Sequence, residues 1–234
     1  GLGGPASPLM ADAATPRLPV VVLISGRGSN LQALMEAVER GSLPIEIRAV
    51  ISNRPNAGGL EHAALAGIRT LVIDHACYGS REAFDRALMA TIDTFEPALV
   101  ILAGFMRILT PGFVRHFHGR MLNIHPSLLP DFPGLNTHAR AIAAGRREHG
   151  ASVHFVTEET DGGPVIAQVC VPVHGDDDAD SLAARVLAGE HRLYPLVIRW
   201  FAEGRVSMQD DRLLLDGNSL ESPLRFTPED LPAT

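Results

Sequence analysis

The fold class this sequence predicts is α/β: a doubly wound, mostly parallel sheet with helices on both faces. Three observations carry it. Strand-like runs alternate with segments of helical period through the first hundred residues, the pattern of parallel strands joined by right-handed crossovers. The runs are continuous and β-branched, as in strands buried on both faces. Gly- and Pro-rich stretches separate them, so that chain reversals fall between elements.

Residues 19–24 (Pro-Val-Val-Val-Leu-Ile) are the first such strand. Ser25-Gly-Arg-Gly-Ser-Asn30 follows, and Leu31, Leu34, Met35 and Val38 then recur at helical spacing until Gly41. A strand, a Gly-rich turn and a helix aim backbone N–H groups at an anion. Leu31 stands where the dinucleotide fingerprint has its third glycine, the next strand ends Ser52-Asn53-Arg54 without an acidic residue, and the Walker lysine is missing. A single terminal phosphate, as on a ribose phosphate, suits the turn best; a tight connection with no ligand is the competing reading. Residues 45–51 and 70–73 are the next strands, separated by a short helix over 58–66. Ser80 caps a helix running to Phe95, with Glu82 in its first turn, and Pro97 closes it before a strand over 99–103. Gly104-Phe-Met-Arg-Ile-Leu109 leaves that strand as an apolar segment with one cation, Arg107. Such a loop can line a pocket for a flat heterocycle, or its guanidinium can reach solvent over an apolar stem.

Met121-Leu-Asn-Ile-His-Pro-Ser-Leu-Leu-Pro130 begins with apolar–polar alternation, which puts Asn123 and His125 on one strand face, and Pro126 ends the strand. An amide and an imidazole thus stand at a strand's carboxyl end, where open α/β sheets bind ligands. Asn is a fixed donor for a developing oxyanion, and His exchanges a proton near neutral pH. A short helix over 137–144 and a strand over 152–156 lead to the loop 157–164, which carries three carboxylates. Asp161 differs from the other two because Gly162-Gly163 lets its backbone turn sharply toward another element. After a strand over 166–173, a helix entered through Asp178 bears the apolar stripe Leu182, Val186, Leu193, Val197 and Trp200. Glu190 lies on that stripe, where it needs a partner unless it sits at the edge in solvent. Residues 205–209 and 212–215 read as a polar hairpin. The organisation expected is a disordered arm over 1–18, a single domain over 19–215 with a phosphate-binding half (19–119) and a catalytic half (120–215), and a Pro-rich tail over 216–234.

With 46% hydrophobic and 20% charged residues among 234, the chain is ordinary globular material, and its net charge of −7 argues against a nucleic-acid partner. No apolar run reaches membrane-spanning length, and the opening residues do not read as a signal peptide. Cys77 and Cys170 lie far apart, without metal or redox spacing, which fits a reducing cytoplasm. The expected partners are small molecules. Oligomeric state stays open, a homodimer included.

The motifs together resemble the phosphoribosylglycinamide formyltransferase family, the folate-dependent transformylases of purine biosynthesis. The resemblance runs from about Val20 to Gly204 and is carried by Leu23-Ile-Ser-Gly-Arg-Gly-Ser-Asn-Leu-Gln32, Leu102-Ala-Gly-Phe-Met-Arg-Ile-Leu109, Leu122-Asn-Ile-His-Pro-Ser-Leu-Leu-Pro130, Pro133-Gly134 with Thr137-His138, and Asp161-Gly-Gly-Pro-Val-Ile166. It implies a Rossmann-like formyltransferase fold, and transfer of a formyl group from the co-substrate 10-formyltetrahydrofolate to the amine of glycinamide ribonucleotide, without a metal. By position it implies Gly28, Ser29 and Asn30 on the phosphate, Glu190 on the ribose hydroxyls, and Arg81, Met106, Arg107, Ile108, Leu109 and Asn123 on the folate. Asn123, His125 and Asp161 would be catalytic. A methionyl-tRNA formyltransferase shares the core but needs a basic carboxyl-terminal domain. A formyltetrahydrofolate hydrolase needs no phosphate turn. A non-catalytic phosphate-binding module need not keep the three catalytic residues together.

Overall fold

The computed structural model describes residues 16–233, so the arm expected at the amino terminus lies, up to residue 15, outside the described residues. In chain order the strands are β1 (Leu18–Ile24), β2 (Ile45–Ser52), β3 (Thr70–Val72), β4 (Leu99–Leu102), β5 (Met121–His125), β6 (Glu148–Phe155), β7 (Val165–Pro172), β8 (Val206–Gln209), β9 (Arg212–Leu215), β10 (Asn218–Ser219) and β11 (Leu224–Phe226). The helices are α1 (Ser29–Glu39), α2 (Gly58–Leu65), α3 (Arg81–Asp93), α4 (Pro111–His116), α5 (Thr137–Ala143) and α6 (Ala179–Ala202). Eight strands make one sheet in the order β11-β7-β6-β5-β4-β1-β2-β3.

The continuous apolar runs have a direct cause. Successive strand residues face opposite sides, and both sides are covered. Val20, Val22 and Ile24 of β1 join Leu31 and Leu34 of α1 and Leu193 and Val197 of α6 in one core. Val21 and Leu23 join Phe84 and Leu88 of α3 and Phe113 of α4 in the other. Tyr194, fully buried on α6, donates its hydroxyl to the carbonyls of Leu102 (2.7 Å) and Leu122 (3.1 Å), pinning that helix to β4 and β5. α4 was not foreseen; Thr110 caps it by accepting from Phe113 N–H, and Pro111 opens it.

Within the eight-stranded sheet five pairings are parallel and two antiparallel, the latter joining β5 to β6 and β6 to β7. From β1 the chain moves outward through β2 and β3, then returns to place β4 and β5 on β1's other flank. The crevice between the carboxyl ends of β1 and β4 is therefore a topological switch point, where doubly wound sheets take ligands.

The carboxyl-terminal expectations need correction. The hairpin is the β8–β9 part of a three-stranded antiparallel sheet whose Val206, Met208 and Leu213 are buried in the main core. Residues 216–233 are not a free tail either. β11 pairs in parallel with β7, Leu224 opposite Ala167, and Leu231 is buried. Without that strand β7 would present a row of unpaired backbone groups at the sheet's edge.

Candidate active site

Three strand ends converge here. The turn after β1 begins α1 with Gly28 at φ +72°, a left-handed N-cap that suits glycine. A Cβ on Gly28 would stand 2.8 Å from Gly59 Cα of α2, so the position is closed to larger residues twice over. The N–H of Gly59 donates to the Gly26 carbonyl (3.0 Å), fixing the turn from the other side. With no acidic residue in the first turn of α1, the free N–H groups at Ser29 and Asn30 present an unopposed positive end.

Glu190 reaches this turn from α6. It is 6% exposed, and Asn30 Nδ2 donates to its Oε1 at 3.2 Å. Burial pushes its carboxyl up to about 7, with the Asn30 bond opposing the rise. The stripe position left burial and a solvated edge both open; the structure shows burial, with a partner 160 residues away.

The apolar loop after β4 lies beside both β1 and β5. Met106 N–H donates to Ser25 Oγ (2.8 Å), and Ser25 Oγ donates to Asn53 Oδ1, so this loop and the Gly-rich turn share one hydroxyl. At its other end Thr110 N–H donates to the buried Asp85 carboxylate (2.7 Å). Met106 and Ile108 are 55% and 59% exposed, an apolar surface held out by a pinned backbone. Arg107 instead folds back, its guanidinium 4.6 Å over the Phe84 ring. Arg81, exposed at the first turn of α3, is three residues before Phe84 and so lies on the same helix face.

Asn123 and His125 share a face of β5, opposite His154 and Ser152 of β6. His154 is buried and burial lowers its pKa, so its ring is neutral. Its Nδ1–H donates to the Phe155 carbonyl (2.9 Å), and Nε2 accepts from Asn123 Nδ2 (3.3 Å). One amide hydrogen of Asn123 is thereby fixed and the other is left for the site. Below them, Ser152 donates to the Ser127 carbonyl (2.7 Å) and Gln168 to the Leu129 carbonyl (2.9 Å), which rigidify the turn that follows His125.

His125, 6% exposed, donates from Nε2 to the Phe132 carbonyl at 2.9 Å. Its Nδ1 faces Asp161 Oδ1 at 3.5 Å. Asp161 sits at φ +52°, a conformation Asp tolerates better than most side chains, and its Oδ2 accepts from Gly134 N–H at 2.9 Å. Two more rings flank the pair. His149 lies 3.1 Å from His138, and burial first, then His138 and His125, lower it to about 4; burial and then His125 lower His138. Neutral histidines thus surround the one ring that faces a carboxylate. Ser25, Asp85, His154, Tyr194 and the backbone of Phe132 and Gly134 are parts of the site that sequence reasoning missed; only the polarity of Ser25 and His154 beside apolar strand residues could have hinted at any of them. Among the described residues, no group of three or more His, Cys, Asp or Glu is arranged to hold a metal ion.

Residues 18–198 match the formyl transferase family. The chain is 55% identical over 201 residues to the phosphoribosylglycinamide formyltransferase of Escherichia coli strain K12, covering 86% of this chain and 95% of that one. It is similar in structure to the phosphoribosylglycinamide formyltransferase of Coxiella burnetii, with a TM-score of 0.86 and 52% identity over 90% of this chain and 99% of that one. A formyltetrahydrofolate deformylase from Pseudomonas putida is more distant, with a TM-score of 0.77 and 28% identity over 85% of this chain and 70% of that one.

Proposed function

The chain belongs to the formyl transferase family, and we propose how its site formylates phosphoribosylglycinamide in purine biosynthesis: 10-formyltetrahydrofolate is the donor, and Asn123, His125 and Asp161 carry the transfer. The observation that carries this reading is the convergence of a phosphate-type turn after β1 with a positioned amide, imidazole and carboxylate after β5, across the switch point. The phosphate sits on the N–H groups of Gly28, Ser29 and Asn30, and Glu190 takes the ribose hydroxyls. The pterin ring lies against the loop of Met106, Arg107, Ile108 and Leu109, which presents apolar side chains and backbone polar groups, and Arg81 meets the folate's acidic end. Residues 19–119 thus supply the binding loops and 120–215 the reacting side chains. The enzyme works on small molecules in the cytoplasm.

The amine attacks the formyl carbon and the carbonyl oxygen becomes an oxyanion. The free amide hydrogen of Asn123 and the imidazolium of His125 donate to it, and one such donor is worth about 3 kcal/mol. His125 keeps Nε2–H on the Phe132 carbonyl and turns Nδ1–H toward the space it shares with Asp161. Asp161, through a water, takes the proton that the amine must lose. As the tetrahedral intermediate collapses, the bond from carbon to folate nitrogen breaks and that nitrogen gains the proton.

The test is incubation with 10-formyltetrahydrofolate in the presence and absence of phosphoribosylglycinamide. Formylated product that depends on the ribosyl substrate is expected. Release of formate at the same rate without it would make the protein a hydrolase and overturn the reading.

A further inference from the structure

The loop 131–136 carries none of the reacting side chains, yet its backbone touches two of them. Phe132 lies at φ +49° and Asn136 at +55°, with Gly134 at +83° between them. A bulky side chain in the left-handed region is strained and persists only where its surroundings hold it. Two guanidiniums do so here. Arg140, on α5, stands 5.4 Å from the centre of the Phe132 ring and Arg146, beyond that helix, 5.3 Å. Arg140 Nη1 also donates to the carbonyls of Pro133 (2.6 Å) and Leu135 (3.0 Å), and Arg146 meets Asp131 at 3.5 Å. The ring's other neighbour is His149, edge-on at 6.1 Å.

We propose that Arg140 and Arg146 are positioning residues: by gripping the Phe132 ring they hold the loop so that the Phe132 carbonyl orients His125 and the Gly134 N–H orients Asp161. What they fix is the direction of two backbone groups, and through these the facing of His125 Nδ1 and Asp161 Oδ1. The inference rests on reading His125 and Asp161 as the reacting pair, and it adds to that pair a cationic clamp outside the pocket.

The double substitution Arg140→Gln with Arg146→Gln tests it, since both side chains are exposed and thermal melting should stay near wild type. Turnover should fall about tenfold with KM for both substrates nearly unchanged, because misorientation by a fraction of an ångström costs rate rather than binding. NMR should also show the His125 Nε2–H, protected in wild type by the Phe132 carbonyl, exchanging with water faster in the double variant. Phe132→Ala should behave alike, while Phe132→Tyr, which keeps the ring, and Arg140→Lys, which keeps a cation over it, should restore both readouts. An unchanged exchange rate in the double variant overturns the clamp. The reading of the reacting pair fails separately, if Asp161→Asn retains full activity.

Discussion

The turn after β1 and the corner after β5 are built by opposite means. The turn is made of backbone: a left-handed Gly28, a second glycine packed 2.8 Å from where its Cβ would be, and free N–H groups at a helix start. Nothing in it titrates. The corner is made of side chains, a fixed amide, an imidazole and a carboxylate, with three neutral histidines around them and backbone groups of a strained loop at their back. A phosphate needs a charge-complementary cradle that never changes state. A formyl transfer needs groups that gain and lose protons, and these must be held from outside the reaction. Damage to the first should appear in KM, and damage to the second in kcat.

The largest effect should come from the corner. His125→Ala and Asn123→Ala should each lower kcat roughly 150-fold, the rate equivalent of about 3 kcal/mol, and the double variant should be little worse than either, because both donors serve one oxyanion. Steady-state rates for the three variants decide this, and fully multiplicative losses would separate the two roles.

Glu190 is the exception on the binding side, a titratable group beside a backbone cradle. Its carboxyl pKa is raised in the folded state from 4.5 to about 7. The stability it contributes is therefore complete below pH 4.5 and is lost as pH rises through about 7, some 3 kcal/mol in all. Denaturant unfolding of the unliganded protein at pH 5 and pH 8 should show the fall, and Glu190→Gln should lack most of it. The same variant should bind phosphoribosylglycinamide about fivefold more weakly, the loss of one hydrogen bond, with folate affinity unchanged by calorimetry. Equal pH dependence in both proteins would mean that Glu190 is ionised where it lies.

Asp161→Asn should lower kcat about a hundredfold near neutral pH and leave both KM values within about twofold, since the amide cannot take up the proton that the amine loses. A loss confined to KM would move Asp161 to the binding side of the comparison.

The effect of the turn should be confined to binding. Ser29→Asp sets a carboxylate against the substrate phosphate and should raise KM for the ribosyl substrate about tenfold with little change in kcat. Equal affinity for a dephosphorylated substrate would remove the phosphate from the turn altogether.

The sequence alone determined what depends on neighbours in the chain. A glycine turn between a strand and a helix is legible over ten residues, Asn123 and His125 share a face because strand side chains alternate, and Glu190 stood out by its place on a helical stripe. The parallel order of the first strands followed from the helices between them. The tertiary structure alone decided the rest. The reversal of β6 between β5 and β7 was hidden because a buried strand looks the same in either direction, and β11 because three residues pair only where an open edge waits for them. Asn30 meets Glu190, and His154 meets Asn123, over separations of 160 and 31 residues that no local pattern encodes. Least legible were the Phe132 carbonyl and the Gly134 N–H. Every residue but proline carries both groups, so their role comes from direction, and direction is set only when the folded chain fixes φ and ψ.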